Sequence, residues 1–126
     1  MSVPLWVHPV AELILVTGLL VVFVLGMRAE REWHVRLAWV CFAGVVAMAA
    51  VGLVAHALDG FKGPFVPHGW IGAVAIAVLA RQAYLGRMLR QGIEAARAQH
   101  KRNARILLLL LALQVLVGMY YASQVM

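Results

Sequence analysis

The sequence holds a single cysteine, Cys41, and only five acidic residues among 126. One cysteine closes no intrachain disulfide, and with no C-x-x-C-H run the chain attaches no c-type haem. Nor is there a thiolate set for an iron–sulfur cluster or a Cys-rich zinc site. Cys41 reads as a small buried apolar residue. No G-x-G-x-x-G is present, and no polar segment is long enough to form a soluble domain, so flavin and nicotinamide sites of that kind are excluded. Charged residues make up 13% of the chain and hydrophobic ones 64%, which is far from the balance of a soluble domain.

What is there in quantity is apolar sequence. Hydrophobic runs near residues 9–27, 36–57, 69–89 and 103–123 each have about the 20 residues that cross a bilayer as a helix. Runs this continuous satisfy their backbone polar groups in lipid only as helices. No basic residue precedes the first run, so it reads as a retained span and not as a cleaved signal. Between the third and fourth runs, residues 90–102 (RQGIEAARAQHKR) are polar and helix-prone. They are expected to extend both helices, with Gly92 as the break. The fold expected is all-α: one integral membrane domain over residues 1–126, a four-transmembrane-helix up-down-up-down bundle. Trp6, Trp70, Tyr120 and Tyr121 fall at one interface of the bilayer, Trp33 and Trp39 at the other.

A formal net charge of +6 raises nucleic acid as a partner, and the placement of the charge argues against it. Ten of the eleven Lys and Arg residues flank the first and third connections; Lys62 alone lies in the second. By the positive-inside rule, connections one and three are cytoplasmic, and both termini and the 58–67 loop face outward. The basic residues are a topology signal, with lipid as their contact.

Five histidines remain: His8, His34, His56, His68 and His100. Four of them stand at or just before the start of a span, one per span. Alternating direction puts His8 and His68 at the outer level and His34 and His100 at the inner one. Helices one and three are diagonal partners in such a bundle, as are two and four. Each pair can therefore face across the axis at one depth, as facing imidazoles do when they hold a haem.

Eighteen residues after each of these histidines stands a glycine: Gly26, Gly52, Gly86 and Gly118. Eighteen residues are about five turns, roughly 27 Å along the same face. Each glycine thus comes near the level of the opposite histidine pair, a notch where a flat macrocycle could wedge. For a single pair, a headgroup-level histidine and a close-packing glycine would be the simpler account. Four pairs at one spacing, with depths that match diagonally, favour a two-haem site. His56 has no counterpart and is expected to line the outer pocket or the loop. Zinc at His8, His56 and His68, with Asp59 or Glu12, is the competing use of these side chains, although no metal-site spacing supports it.

The stretches HPVAE, WHVRLAW with VGLVAHA, VPHGWIG, and QHKRNARILLLLLALQVLVG together resemble the cytochrome b561 superfamily, closest to a small four-span bacterial and cyanobacterial branch. The resemblance covers nearly the whole chain. It rests on His8-Pro9 opening the first helix, His34 the second, Pro67-His68 with Gly72 the third, and His100 the fourth, which later carries Gln114 and Gly118. It implies two non-covalent b haems, one shared by His8 and His68, the other by His34 and His100, and a bacterial inner membrane location. Two departures stand out. Glu12 occupies a position that is often apolar in such proteins, and Lys62 is the only outer basic residue, which makes ascorbate chemistry doubtful.

The function expected is transmembrane electron relay, as a membrane subunit of a redox complex that exchanges electrons with quinone or an outer protein partner. Arg28, Arg36, Arg81 and Arg105 are candidates to pair with haem propionates, although an interfacial arginine also snorkels without a ligand. Glu12 is a candidate to accept a quinol proton, because an intramembrane carboxylate is costly unless paired or used. The alternatives are a haem-free anchor subunit and a stand-alone quinol-oxidising or ferric-reducing enzyme.

Overall fold

The computed structural model describes residues 7–28, 31–58 and 66–125, without the side chains of residues 7–9, 55, 56, 66, 67, 122 and 125. Four helices account for nearly all of it: α1 (Val7–Met27), α2 (Arg31–Leu58), α3 (Val66–Arg90) and α4 (Ala96–Val125). All four are long and apolar enough to cross a membrane. The chain is a multi-pass membrane protein of all-α class, with no strand among the described residues.

The helices run up-down-up-down, and each lies beside its neighbours in sequence, with α1 closing the ring against α4. The α1–α2 and α3–α4 hairpins are tightly packed, whereas the two hairpins meet more loosely. Diagonal partners are α1 with α3 and α2 with α4, as the alternation of direction requires. Pro9 and Pro67 fall in the first turns of α1 and α3, where a missing N–H is tolerated.

The helices outrun the apolar runs, because backbone hydrogen bonding does not stop where the hydrocarbon does. α2 begins at Arg31 and α4 at Ala96, each extending its span by polar turns. Arg36 pairs with Glu32 one turn away in the first of these. Just before the second, Arg97 Nε donates to Glu94 Oε2 at 2.7 Å, and that guanidinium holds the Glu94 carboxyl below its ordinary range. The α3–α4 connection breaks at Gly92, whose φ of 84° favours glycine. Its N–H bonds the Leu89 carbonyl and that of Ile93 the Met88 carbonyl, both at 3.1 Å, which makes a Schellman cap.

A small core ties all four helices together near mid-bundle. It comprises Leu19 and Val22 of α1, Cys41 of α2, Leu79 of α3, and Leu107 and Leu111 of α4. Cys41 is buried, and its Sγ lies 2.8 Å from where a Cβ on Gly18 would stand, so α1 and α2 approach closely there. Large side chains such as Leu13, Ile14, Val40, Leu109 and Leu116 point outward, as expected of a surface solvated by lipid. Histidines lie to either side of the core layer.

Candidate functional site

At one end of the bundle, His34 from the first turn of α2 reaches across to α1. Its Nδ1 donates to the Val22 carbonyl at 2.7 Å. A carbonyl only accepts, so the ring proton sits on Nδ1 and the neutral imidazole keeps its lone pair on Nε2. One turn beyond Val22 is Gly26. A Cβ placed there would come 2.9 Å from His34 Cε1 and 3.0 Å from Nδ1, so the glycine makes room for the ring.

His100, near the start of α4, is held in the same manner by α3. Its Nε2 is 3.2 Å from the Gln82 amide nitrogen, and its Cε1 lies 3.5 Å from a Cβ position on Gly86. The His34 and His100 rings face each other from the diagonal helices with centroids 6.3 Å apart and planes at 72°. Two imidazoles that bind one metal ion from opposite sides, each at about 2 Å, have centroids roughly 6 Å apart. The centroid separation matches that of two imidazoles on one metal, while His100 Nε2 faces the Gln82 amide.

His68, at the start of α3, repeats the arrangement at the opposite end. Its Nε2 is 3.0 Å from the Gln114 amide nitrogen, and its Cε1 stands 3.1 Å from a Cβ position on Gly118. Gln114 in turn lies over Gly72, 3.3 Å from its Cβ position. The half-buried Glu12 of α1 comes to the same glycine, with Oε2 3.6 Å from the Cβ position on Gly118. The diagonal partner, His8, has its side chain outside the described residues, and Gly52 has no described atom within 4 Å of its Cβ position. Also outside the described residues are the side chain of His56, and Asp59, Lys62, Glu30 and Trp6.

Gly26, Gly86 and Gly118 thus each lie against a histidine of the other helix in their hairpin, at the end of the span away from their own helix's histidine. Two further residues belong to the inner constellation and carry no motif that sequence reading singled out. Asn103, 2% exposed, is the most buried polar side chain described. Its amide nitrogen donates to the Val78 carbonyl and to Gln82 Oε1, both at 2.9 Å. A signal for Gln82 exists in the sequence: His68, Gln82 and Gly86 have the same spacing as His100, Gln114 and Gly118. Asn103 has no such echo, since Ile71 occupies the corresponding place on α3.

Of the arginines, Arg36 is exposed, pairs with Glu32 and lies 5.9 Å over the Trp33 ring. Arg81 reaches Asn103 Oδ1 at 3.4 Å and Gln99 Oε1 at 3.5 Å. Arg28 and Arg105 are exposed. A cavity of about 460 Å³ between α2 and α3, at the His34 end, is rimmed by Arg31, Arg36 and Arg90. Among the described residues no three His, Cys, Asp or Glu side chains gather into a metal cluster. The arrangement is instead one pair of imidazoles, His34 with His100, and His68 at the opposite end, each in a glycine notch beside a hydrogen-bonding partner. Comparison with protein-family models, curated proteins and solved structures finds no match to the chain.

Proposed function

We propose that the chain is a transmembrane di-haem b-type cytochrome that relays electrons across the membrane as a subunit of a larger redox complex. The observation that carries this reading is the His34–His100 pair: diagonal imidazoles 6.3 Å apart, each beside a glycine whose missing side chain makes room for the ring. The Val22 carbonyl supports it further, because a ligand histidine is oriented by what its other nitrogen binds. The sequence resemblance to the cytochrome b561 superfamily points the same way.

In this reading His34 and His100 hold one haem, and His8 and His68 the other. When bound, the haem iron supplies one-electron ferric–ferrous chemistry. The residues of the chain fix the rest. Val22 orients His34, the mid-bundle core keeps the two levels apart, and a metal at Nε2 of His100 or His68 would take the place of the Gln82 or Gln114 amide that faces that nitrogen. The arginines at the mouth of the α2–α3 cleft, Arg36 among them, offer cations to carboxylates at the inner level, and Arg105 offers another from α4. Glu12 places a carboxylate beside His68 and Gly118, where it can take a proton from a quinol. Lipid surrounds the bundle, and the partners are quinone and redox protein subunits. The orientation that goes with the basic connections is that of a bacterial inner membrane protein with both termini outside.

A reduced-minus-oxidised spectrum of the purified chain, with haem quantitation, tests the reading. Low-spin b-type bands and two haems per chain are expected. A chain purified from haem-sufficient cells without a Soret band overturns it and leaves a structural anchor in its place.

A further inference from the structure

We propose that Asn103 and Gln82 form a hydrogen-bond relay that fixes the tautomer of His100, putting the ring proton on Nδ1 and leaving Nε2 as the acceptor of the Gln82 N–H. A metal at Nε2, as in the haem reading above, would have to displace that N–H; as a statement about the tautomer the proposal stands by itself.

The relay starts from groups whose roles admit no choice. The Val78 carbonyl can only accept, and it lies 2.9 Å from Asn103 Nδ2. The Arg81 guanidinium can only donate, and it lies 3.4 Å from Asn103 Oδ1. Both contacts orient the Asn103 amide the same way. Asn103 Nδ2 therefore also donates to Gln82, whose oxygen faces it at 2.9 Å. With the oxygen turned to Asn103, the Gln82 nitrogen is turned to His100, 3.2 Å from Nε2. That nitrogen only donates, so His100 Nε2 must accept. A neutral imidazole that accepts at Nε2 carries its proton on Nδ1.

The surroundings of Nδ1 do not select this tautomer. His100 Nδ1 is buried with no hydrogen-bond partner among the described residues. A proton there lacks an acceptor, which disfavours it. The opposite tautomer would set two N–H groups against each other at Nε2. Turning the Gln82 amide to relieve that would set its NH₂ against Asn103. The relay is therefore what decides. At the other end of α4, Gln114 faces His68 in the same way, but its Oε1 is buried with no hydrogen-bond partner among the described residues, and nothing like Asn103 fixes it. Among the described residues, an amide that orients the glutamine in this way stands at Gln82 and not at Gln114. The ring proton falls on Nδ1 at His34 too, where the Val22 carbonyl accepts it. Two different devices fix the same tautomer at both imidazoles of the inner pair.

Nitrogen NMR of the full chain, labelled with ¹⁵N-histidine and purified without haem in lipid nanodiscs, reads the tautomer directly. At a pH high enough to keep imidazoles neutral, His100 is expected to show a protonated Nδ1 and an unprotonated, hydrogen-bonded Nε2. Gln82→Leu is expected to return His100 to a mixture dominated by the Nε2–H form that free imidazoles favour. Asn103→Leu is expected to shift it the same way without touching the ring. Should that buried variant fail to fold, Gln82→Leu, which alters a half-buried residue, carries the test. A wild-type His100 protonated on Nε2, or a tautomer indifferent to Gln82→Leu, overturns the proposal. Haem quantitation on the same wild-type chain separates the two ideas: Nδ1–H without haem binding would fell the cytochrome reading and leave the relay standing, and haem binding with Nε2–H in the haem-free chain would do the reverse.

Discussion

The imidazoles of His34 and His100, sixty-six residues apart in sequence, stand with centroids 6.3 Å apart on diagonal helices of the bundle. The clefts between the hairpins are also the loosest contacts in the fold, so a group seated there would meet little packed side-chain mass.

The first prediction is stoichiometry. The chain is expected to release two haems per polypeptide into acidified acetone, since no cysteine pair tethers them. Their spectra are expected to be low-spin, because each haem would be held by two histidines. One haem per chain would leave only one level of the bundle in use.

Ligand pairing follows from which helices are diagonal. His34→Ala and His100→Ala are expected to lose the same haem, and His8→Ala and His68→Ala the other, with His56→Ala retaining both. Spectra of the five variants at matched protein concentration decide it. Loss of different haems from the His34 and His100 variants would break the pairing.

The glycine notches differ in tightness, and the difference makes a ranking. At Gly26 a Cβ would meet the His34 ring at 2.9 Å, and that ring is pinned by its bond to the Val22 carbonyl. At Gly86 the nearest ring atom of His100 is 3.5 Å away, an ordinary contact. Gly26→Ala is therefore expected to weaken the inner haem although it lies on the helix that carries His8, whereas Gly86→Ala is tolerated and Gly86→Leu is not. Gly118→Ala, at 3.1 Å from His68, falls between them and affects the other haem. Haem retention on gel filtration measures all four. Equal behaviour of the two alanine variants at Gly26 and Gly86 would mean the notch geometry has no bearing on the site.

Much of this was legible in the sequence. The four spans follow from run length alone, and Gly92 breaks the α3–α4 connection because few other residues take its backbone angle. The meeting of Gly26 with His34, and of Gly86 with His100, follows from helical rise once the helices are taken to alternate. The polar start of α4 was legible too, since residues 90–102 read as helix-prone on either side of Gly92. The start of α2 was not, because a hydropathy reading stops at the first charges while the helix continues through them. Nor were Asn103 and Gln82. A single amide in an apolar helix has no periodicity to announce it, and its role depends on the register of α3 against α4. The sequence pattern also left the arginines undifferentiated. Side-chain geometry distinguishes Arg36, tied to Glu32, from Arg81, turned toward two neutral amides.

The last prediction concerns the two midpoint potentials. A ferric haem carries one more positive charge than a ferrous one, so nearby carboxylates favour the ferric state and lower the potential, and nearby cations raise it. At the inner level Arg31, Arg36 and Arg90 gather around one cavity, with Glu32 the only acidic residue among its lining side chains. At the His68 level, Glu12 comes to the same glycine as the His68 ring, 3.6 Å from the Cβ position where that ring is at 3.1 Å. A carboxylate that close, half-buried in a medium of low dielectric, acts far more strongly than one in water. The arginines are exposed and partly screened by salt, so they count for less per charge. The inner haem is therefore expected to have the higher potential. Glu12→Gln is expected to raise the outer potential by an amount on the order of tens of millivolts and to leave the inner one unchanged. Redox titration of variants that each retain one haem separates the two couples. An outer potential equal to or above the inner one, or an outer potential insensitive to Glu12→Gln, would remove the carboxylate from the account and with it the downhill direction from the outer haem to the inner.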